Sequence, residues 1–223
     1  TCALPIFFDA LAAEGIRARK YFYPLTSDYE CYKGIFSALN SENLFEIIHS
    51  LLRQFGPENW TLYRGKHMWS FVDNHDVTRI ASNIKNPEHL PLAYTFIYSM
   101  PGMPIVYYGS EWGAKGEKKD GDPSLRPCFE KPEWNDLTSH IAKLSDIKKS
   151  SSALNYGGIR IVVLTNKQCI FERRSGDQRI MVAINMDENP YVAHFDAGCG
   201  QARELITDTI HDFGGGSTLA PFS

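Results

Sequence analysis

The chain has no initiator methionine, no Cys-x-x-Cys pair, no excess of basic side chains and no apolar run approaching about 20 residues. Each gap removes a class of protein. Without a long apolar run, a membrane-spanning helix is excluded, and no membrane partner is expected. A net charge of −3 over 223 residues lacks the basic footprint that phosphate-backbone binding needs, so no nucleic-acid partner is expected either. Cys2, Cys31, Cys128, Cys169 and Cys199 are an odd set without metal-ligand spacing, which argues against a disulfide framework and against a zinc site. Free, partly buried thiols in a reducing compartment are the expectation. The first residues carry no basic region, and their short apolar stretch breaks at Asp9. That is not the pattern of a signal peptide, and a cytoplasmic location is expected. No internal repeat or low-complexity segment stands out.

What is present is the balance of a globular protein, 43% hydrophobic and 22% charged, which excludes disorder as a description of the whole chain. Aromatics at 13% suit packed β structure and carbohydrate stacking equally. Thr1-Cys2-Ala3-Leu4-Pro5-Ile6 reads as a translated sequencing adapter, and the chain stops at Pro221-Phe222-Ser223 without a charged tail. Together the two ends suggest a piece of a longer gene.

Apolar periodicity divides the chain. Phe7 to Ala13 reads as a short helix stopped at Gly15. Leu44, Ile47, Ile48, Leu51, Leu52 and Phe55 share one helical face, which Gly56-Pro57 ends. Met68 to Val72 is a short apolar strand closed by the polar cluster Asp73-Asn74-His75-Asp76. Leu92 to Met100 is helical, Ile105 to Tyr108 reads as a buried strand, and Glu111 to Pro132 is a polar loop. Leu137, Ile141, Leu144 and Ile147 mark a further helix. From there the period falls to about 2, with strands at 159–164, 169–173, 178–184 and 191–195. The expected boundary lies near Tyr156-Gly157-Gly158, between alternating β/α structure and an all-β tail.

In parallel β/α units ligands gather beyond the carboxyl ends of the strands, where Asn74-His75-Asp76 falls. An amide, an imidazole and a carboxylate side by side offer the donors and acceptors that suit a polyhydroxylated substrate. Two plainer roles stand beside that one: Asp76 capping the next helix, or Asn74 making a turn.

The second strand adds a second motif. Phe71-Val72-Asp73-Asn74-His75-Asp76, followed by the Gly-x-Pro-x-x-Tyr-Tyr-Gly-x-Glu pattern of Gly102 to Glu111, resembles the last two barrel strands of the α-amylase family, glycoside hydrolase family 13. Asp122-Pro123-Ser124-Leu125-Arg126-Pro127 is similar to the stretch after the last strand in the neopullulanase and cyclomaltodextrinase branch. Tyr29-Glu30-Cys31-Tyr32-Lys33-Gly34 resembles a segment those enzymes carry after their acid-bearing strand. The all-β tail is similar to the family's domain C.

The resemblance covers residues 29 to 223. It implies an α/β fold: a partial (β/α)8 TIM barrel over residues 29–155, followed by an all-β antiparallel sandwich over 156–223. The implied activity is retaining hydrolysis of α-1,4-glucosidic bonds in an α-glucan or maltodextrin. Transglycosylation on the same fold and a non-catalytic binding relative stand as alternatives. No cofactor and no metal are implied. Asp76 matches the aspartate that stabilises the transition state, and His75 would hydrogen-bond the same sugar. Asp122 and Arg126 would line the cleft, with a solvated loop pair as the alternative. Arg79 is expected in a structural ion pair, and Tyr107 and Tyr108 as core filling.

The departures matter as much. The nucleophile and acid/base of such enzymes lie on earlier strands, and no Gly-x-Arg-x-Asp pattern occurs in this chain. Phe8 to Pro24, with the run from Glu14 to Leu25, instead resembles a segment of pyridoxal-phosphate sugar aminotransferases. Residues 1–28 are therefore expected to be a foreign arm, and the amino-terminal barrel half is expected as a missing partner.

Overall fold

The computed structural model describes residues 27–223. The expectations for the adapter-like residues, the helix over Phe7 to Ala13 and the aminotransferase-like stretch lie outside the described residues. Ser27 and Asp28 belong to the fold: Ser27 forms a parallel bridge with Trp69, and the Asp28 amide donates to the Trp69 carbonyl at 2.9 Å.

Asp28 also starts the first helix, α1 (Tyr29–Ser41), by accepting the Cys31 amide on its carboxylate at 2.9 Å. The buried face of α1 carries Cys31, Tyr32, Ile35, Ala38 and Leu39. It lies against α2 (Phe45–Phe55), whose Ile47, Ile48, Leu51 and Phe55 recur at helical spacing and are buried. The two helices approach closely at Gly34, where a Cβ would meet the Ile47 backbone at 3.3 Å. Two short strands follow, β1 (Trp69–Phe71) and β2 (Met103–Ile105), paired in parallel with Trp69 opposite Met103 and Phe71 opposite Ile105. The crossover between them holds α3 (Ile80–Asn83) and α4 (Leu90–Ser99), and α4 is buried nearly all round. Pro101 ends α4. Gly102 then turns the chain into β2 at φ +120°, where a Cβ would stand 2.7 Å from the Met68 carbonyl oxygen.

Beyond β2, the short α5 (Asp122–Leu125) precedes α6 (Asp136–Ser150), which opens on a reciprocal cap between Asn135 and Thr138. The short α7 (Ser152–Tyr156) leads into β3 (Gly158–Leu164), β4 (Gln168–Ser175) and β5 (Gln178–Asn185), an antiparallel meander. Then β6 (Tyr191–Ala193) pairs with β9 (Ser217–Leu219), and β7 (Gln201–Arg203) with β8 (Ile210–Asp212), both antiparallel. One apolar core joins α1, α2, α4 and α6 to Cys169, Phe171, Val182 and Ile184 of the meander. A smaller cluster of Ile170, Ala193 and Leu219 fills its other side. His89 stitches the two regions, its ring nitrogens 3.1 Å from the Leu39 carbonyl oxygen and 2.9 Å from that of Met186.

Among the described residues the parallel sheet has two strands and no closed barrel. On the face shared by Trp69, Phe71, Met103 and Ile105, the β2 residues Met103 and Ile105 are 49% and 37% exposed, while Phe71 is buried against Tyr29 and Tyr32. The second strand also sits earlier than the apolar run Ile105 to Tyr108 suggests. Past Ile105 no strand among the described residues pairs with the backbone, and the Tyr108 carbonyl instead accepts from Arg79 at 2.6 Å. The four described cysteines are free, Cys31 and Cys169 buried, Cys128 and Cys199 exposed.

Candidate active site

The polar cluster after β1 divides by depth. Asp73 is buried, and both its carboxylate oxygens accept from the Ser110 hydroxyl, at 2.9 and 2.8 Å, while one also accepts the Ile80 amide at 2.8 Å. Burial pushes the Asp73 carboxyl above the usual carboxylate range, and the bonds from Ile80 and Ser110 oppose that shift. Asp73, not Asp76, thus caps α3.

Arg79 is the hub beneath the site. Fully buried, it donates to the Tyr108 carbonyl at 2.6 Å, the Ser110 hydroxyl at 3.0 Å and the Leu125 carbonyl at 2.9 Å. Its guanidinium stands 4.4 Å from the Tyr107 ring centroid and 5.2 Å from that of Tyr108. The expected ion pair is corrected: carbonyls and a hydroxyl hold this cation, and Asp73 is reached through Ser110. The reason is geometric, because only the planar five-donor fork can tie three chain segments at once. Gly109 lets the chain turn there at φ +86°, since a Cβ would lie 2.5 Å from the Phe129 ring.

Above this floor the next residues rise to the surface. Asn74 makes the turn, accepting the Asp76 amide on its side-chain oxygen at 2.8 Å, and its amide donates to the Tyr29 hydroxyl at 3.1 Å. Asp76 is 57% exposed, beyond the carboxyl end of β1. One carboxylate oxygen lies 3.3 Å from His75 Nε2 and the other 3.4 Å from Arg126 Nη2. Arg126 also pairs with Asp122 at 3.0 Å. The structure therefore brings His75, Asp76, Asp122 and Arg126 into one chain of contacts. Such exposed pairs add little stability, and the two contacts to Asp76, at 3.3 and 3.4 Å, are long enough to give way to other hydrogen-bond partners.

Beside this row opens a cavity of about 510 Å³ lined by Tyr108, Trp112, Arg126, Cys128 and Phe129, among others. The sequence reading placed Tyr108 in the core. It is 43% exposed and bonds the Pro127 carbonyl at 2.9 Å, because β2 ends before it and its ring turns outward. Trp112 and Phe129 were missed; the available signal is a pair of large aromatics inside an otherwise polar loop. Their rings meet edge to face at 5.2 Å. Polar groups beside an apolar aromatic wall suit a sugar ring, which has both kinds of surface.

Residues 39–170 match the family model of the α-amylase catalytic domain. A cyclomaltodextrin glucanotransferase of Bacillus licheniformis is 34% identical over 119 residues, 52% of this chain and 16% of the relative. A second, from Bacillus sp. strain 1011, is 28% identical over 152 residues, 67% of this chain and 21% of the relative. Among solved structures, an Anoxybacillus α-amylase superposes with a TM-score of 0.74 at 22% identity, over 89% of this chain and 45% of that one. The α-amylase of Geobacillus thermoleovorans, complexed with acarbose, gives 0.76 at 19% identity, over 89% and 46%. The chain thus spans a small part of the curated relatives it matches and under half of these structures. With the family model covering more than half its length, the chain belongs to the α-amylase catalytic-domain family.

Proposed function

We propose that this chain is the carboxyl-terminal half of a retaining α-glucan-active enzyme, with a site completed by an amino-terminal barrel half. The observation that carries it is the row His75, Asp76, Arg126 and Asp122, joined by contacts of 3.0 to 3.4 Å at the carboxyl ends of two parallel strands. Asp76 accepts hydrogen bonds from the hydroxyls of the sugar being cleaved and favours the oxocarbenium-like ring, and His75 and Arg126 orient that sugar. Asp122 fixes Arg126. Retention needs two further carboxyl groups about 5 Å apart, a nucleophile and an acid, which come from the missing half. The exposure of the apolar β2 residues Met103 and Ile105 supports this, since a neighbouring barrel strand would cover such side chains. Residues 156–223 play the part of the family's sandwich domain, and residues 1–28 are foreign in sequence, with Ser27 and Asp28 taken into the fold beside Trp69.

Hydrolysis of α-1,4 bonds, in the manner of neopullulanases and cyclomaltodextrinases, is the primary reading. Transglycosylation is favoured by one observation, that the curated relatives at 28 to 34% identity are glucanotransferases. The deciding assay incubates maltodextrin with the chain alone and with a matching amino-terminal barrel half. No turnover is expected alone, and glucan cleavage is expected in the mixture. Turnover by the chain alone that disappears in Asp76→Ala would overturn the proposal.

A further inference from the structure

The turn that carries Asp76 is anchored from α1. The Asn74 side-chain oxygen accepts the Asp76 amide at 2.8 Å, and the Asn74 side-chain nitrogen donates to the Tyr29 hydroxyl at 3.1 Å. The roles along this chain are forced. A backbone amide only donates, so it takes the Asn74 oxygen and leaves the Asn74 nitrogen turned to Tyr29. The phenol oxygen accepts that N–H, whereas a hydrocarbon side chain at position 29 would leave the Asn74 amide fixed at one end only.

Local structure delivers the hydroxyl to that turn. Ser27 and Asp28 both pair with Trp69, so Tyr29 is the first residue past that pairing and the first of α1. Its ring stands edge-on to Phe71, the last residue of β1, with centroids 4.9 Å apart, and edge-on to Tyr32 at 6.1 Å. Held against these two rings, it meets Asn74 from 45 positions away in sequence. Tyr29 is 44% exposed, and its bond to Asn74 is exposed too. Such a bond adds little to stability, because water serves either group nearly as well. What water does not supply is a fixed orientation.

We propose that Tyr29 is a positioning residue for Asp76, acting through Asn74, on the reading that Asp76 meets the sugar in the transition state. Tyr29 itself touches no reacting atom. Its hydroxyl fixes the rotation of the Asn74 amide, and Asn74 fixes the backbone of Asp76. The carboxylate then needs only small adjustments against His75 and Arg126 to meet the sugar. Without the hydroxyl, the turn loses one of its two side-chain anchors and Asp76 is free to swing. Misplacing a group that acts in the transition state by about 1 Å costs up to about 10² in rate.

The test is Tyr29→Phe, which keeps the ring on Phe71 and Tyr32 and removes one oxygen. In the chain alone, NMR follows the Asn74 side-chain amide signal and the solvent exchange of the Asp76 backbone amide. The Asn74 signal is expected to shift, and the Asp76 exchange to quicken about threefold or more. The midpoint of thermal unfolding should stay within about 2 °C of the parent, which a merely structural role would not allow. With a matching amino-terminal barrel half and maltodextrin, kcat should fall about tenfold and KM stay within about twofold. Unchanged Asp76 exchange, or a kcat within about twofold of the parent, would overturn the proposal. So would a midpoint lowered by more than about 5 °C, which would make Tyr29 a stability residue. A parent mixture without turnover would refute the proposed function instead, and the exchange of Asp76 would then decide the role of Tyr29 by itself.

Discussion

Asp76→Asn, introduced into the chain and assayed with a matching amino-terminal barrel half, is expected to lower kcat by about 10³ and leave KM within a few-fold. Asparagine keeps the shape of the side chain and its capacity to accept from sugar hydroxyls, so ground-state binding survives. What it lacks is the charge that opposes the positive charge developing on the sugar ring in the transition state. Interactions realised only there raise kcat without changing KM. At 1.36 kcal/mol per decade the loss is about 4 kcal/mol of transition-state stabilisation. The proposed role fits a carboxylate that is more than half exposed and whose ion-pair partners among the described residues are His75 at 3.3 Å and Arg126 at 3.4 Å. Steady-state kinetics on maltodextrin decide the matter. A variant within tenfold of the parent kcat would show that Asp76 does not face the reacting sugar.

Arg79→Met should cost about 3–5 kcal/mol of stability, although Arg79 lies fully buried beneath the site. The substitution conserves bulk against Tyr107 and Tyr108, so the loss reports hydrogen bonds more than packing. It leaves the Tyr108 and Leu125 carbonyls and the Ser110 hydroxyl without their donor in the interior. Each bond to a charged group contributes about 1.5–3 kcal/mol, and burial makes its absence costly. Buried Asp73 also loses the cation that reaches it through Ser110. For a chain of this size the midpoint of thermal unfolding should fall by about 10 °C. Arg79→Lys should recover little, since one ammonium on a shorter, unforked head cannot reach all three acceptors in the plane of a fork. Calorimetry of the two variants beside the parent chain checks both statements; a fall under 2 °C for methionine would show that the hub is dispensable.

How much of this was legible depends on how local each feature is. The face of α2 and the alternation of the meander are written in side chains within one element, and the structure places them at Phe45–Phe55 and between Gly158 and Asn185. The helix α1 was harder to see, because its buried face uses Cys31, Tyr32 and Ala38, with Gly34 in the contact with α2. Arg79 looked like an ion-pair residue since its partners are backbone atoms 29 and 46 positions away, which carry no side-chain signature. Tyr108 looked like core because its surroundings depend on how many strands flank β2.

The site was legible as residue types and not as contacts. His75 and Asp76 declared themselves as a polar cluster after an apolar run. Asp122 and Arg126 were named through a family resemblance, and 50 positions separate Arg126 from the carboxylate it meets. Their juxtaposition is a product of the parallel pairing of β1 and β2, which brings the two loops to the same end of the sheet.

The central claim is that this end of the sheet contacts glucosyl hydroxyls. The most direct measurement is an NMR titration of the isotopically labelled chain with maltotriose, following the His75 imidazole and the Arg126 guanidinium. The account predicts concentration-dependent shifts at both, absent in Asp76→Ala, with the His67 ring at the far end of the sheet unmoved. Unmoved His75 and Arg126 signals at the highest soluble sugar concentration, in a chain shown to be folded, would contradict it.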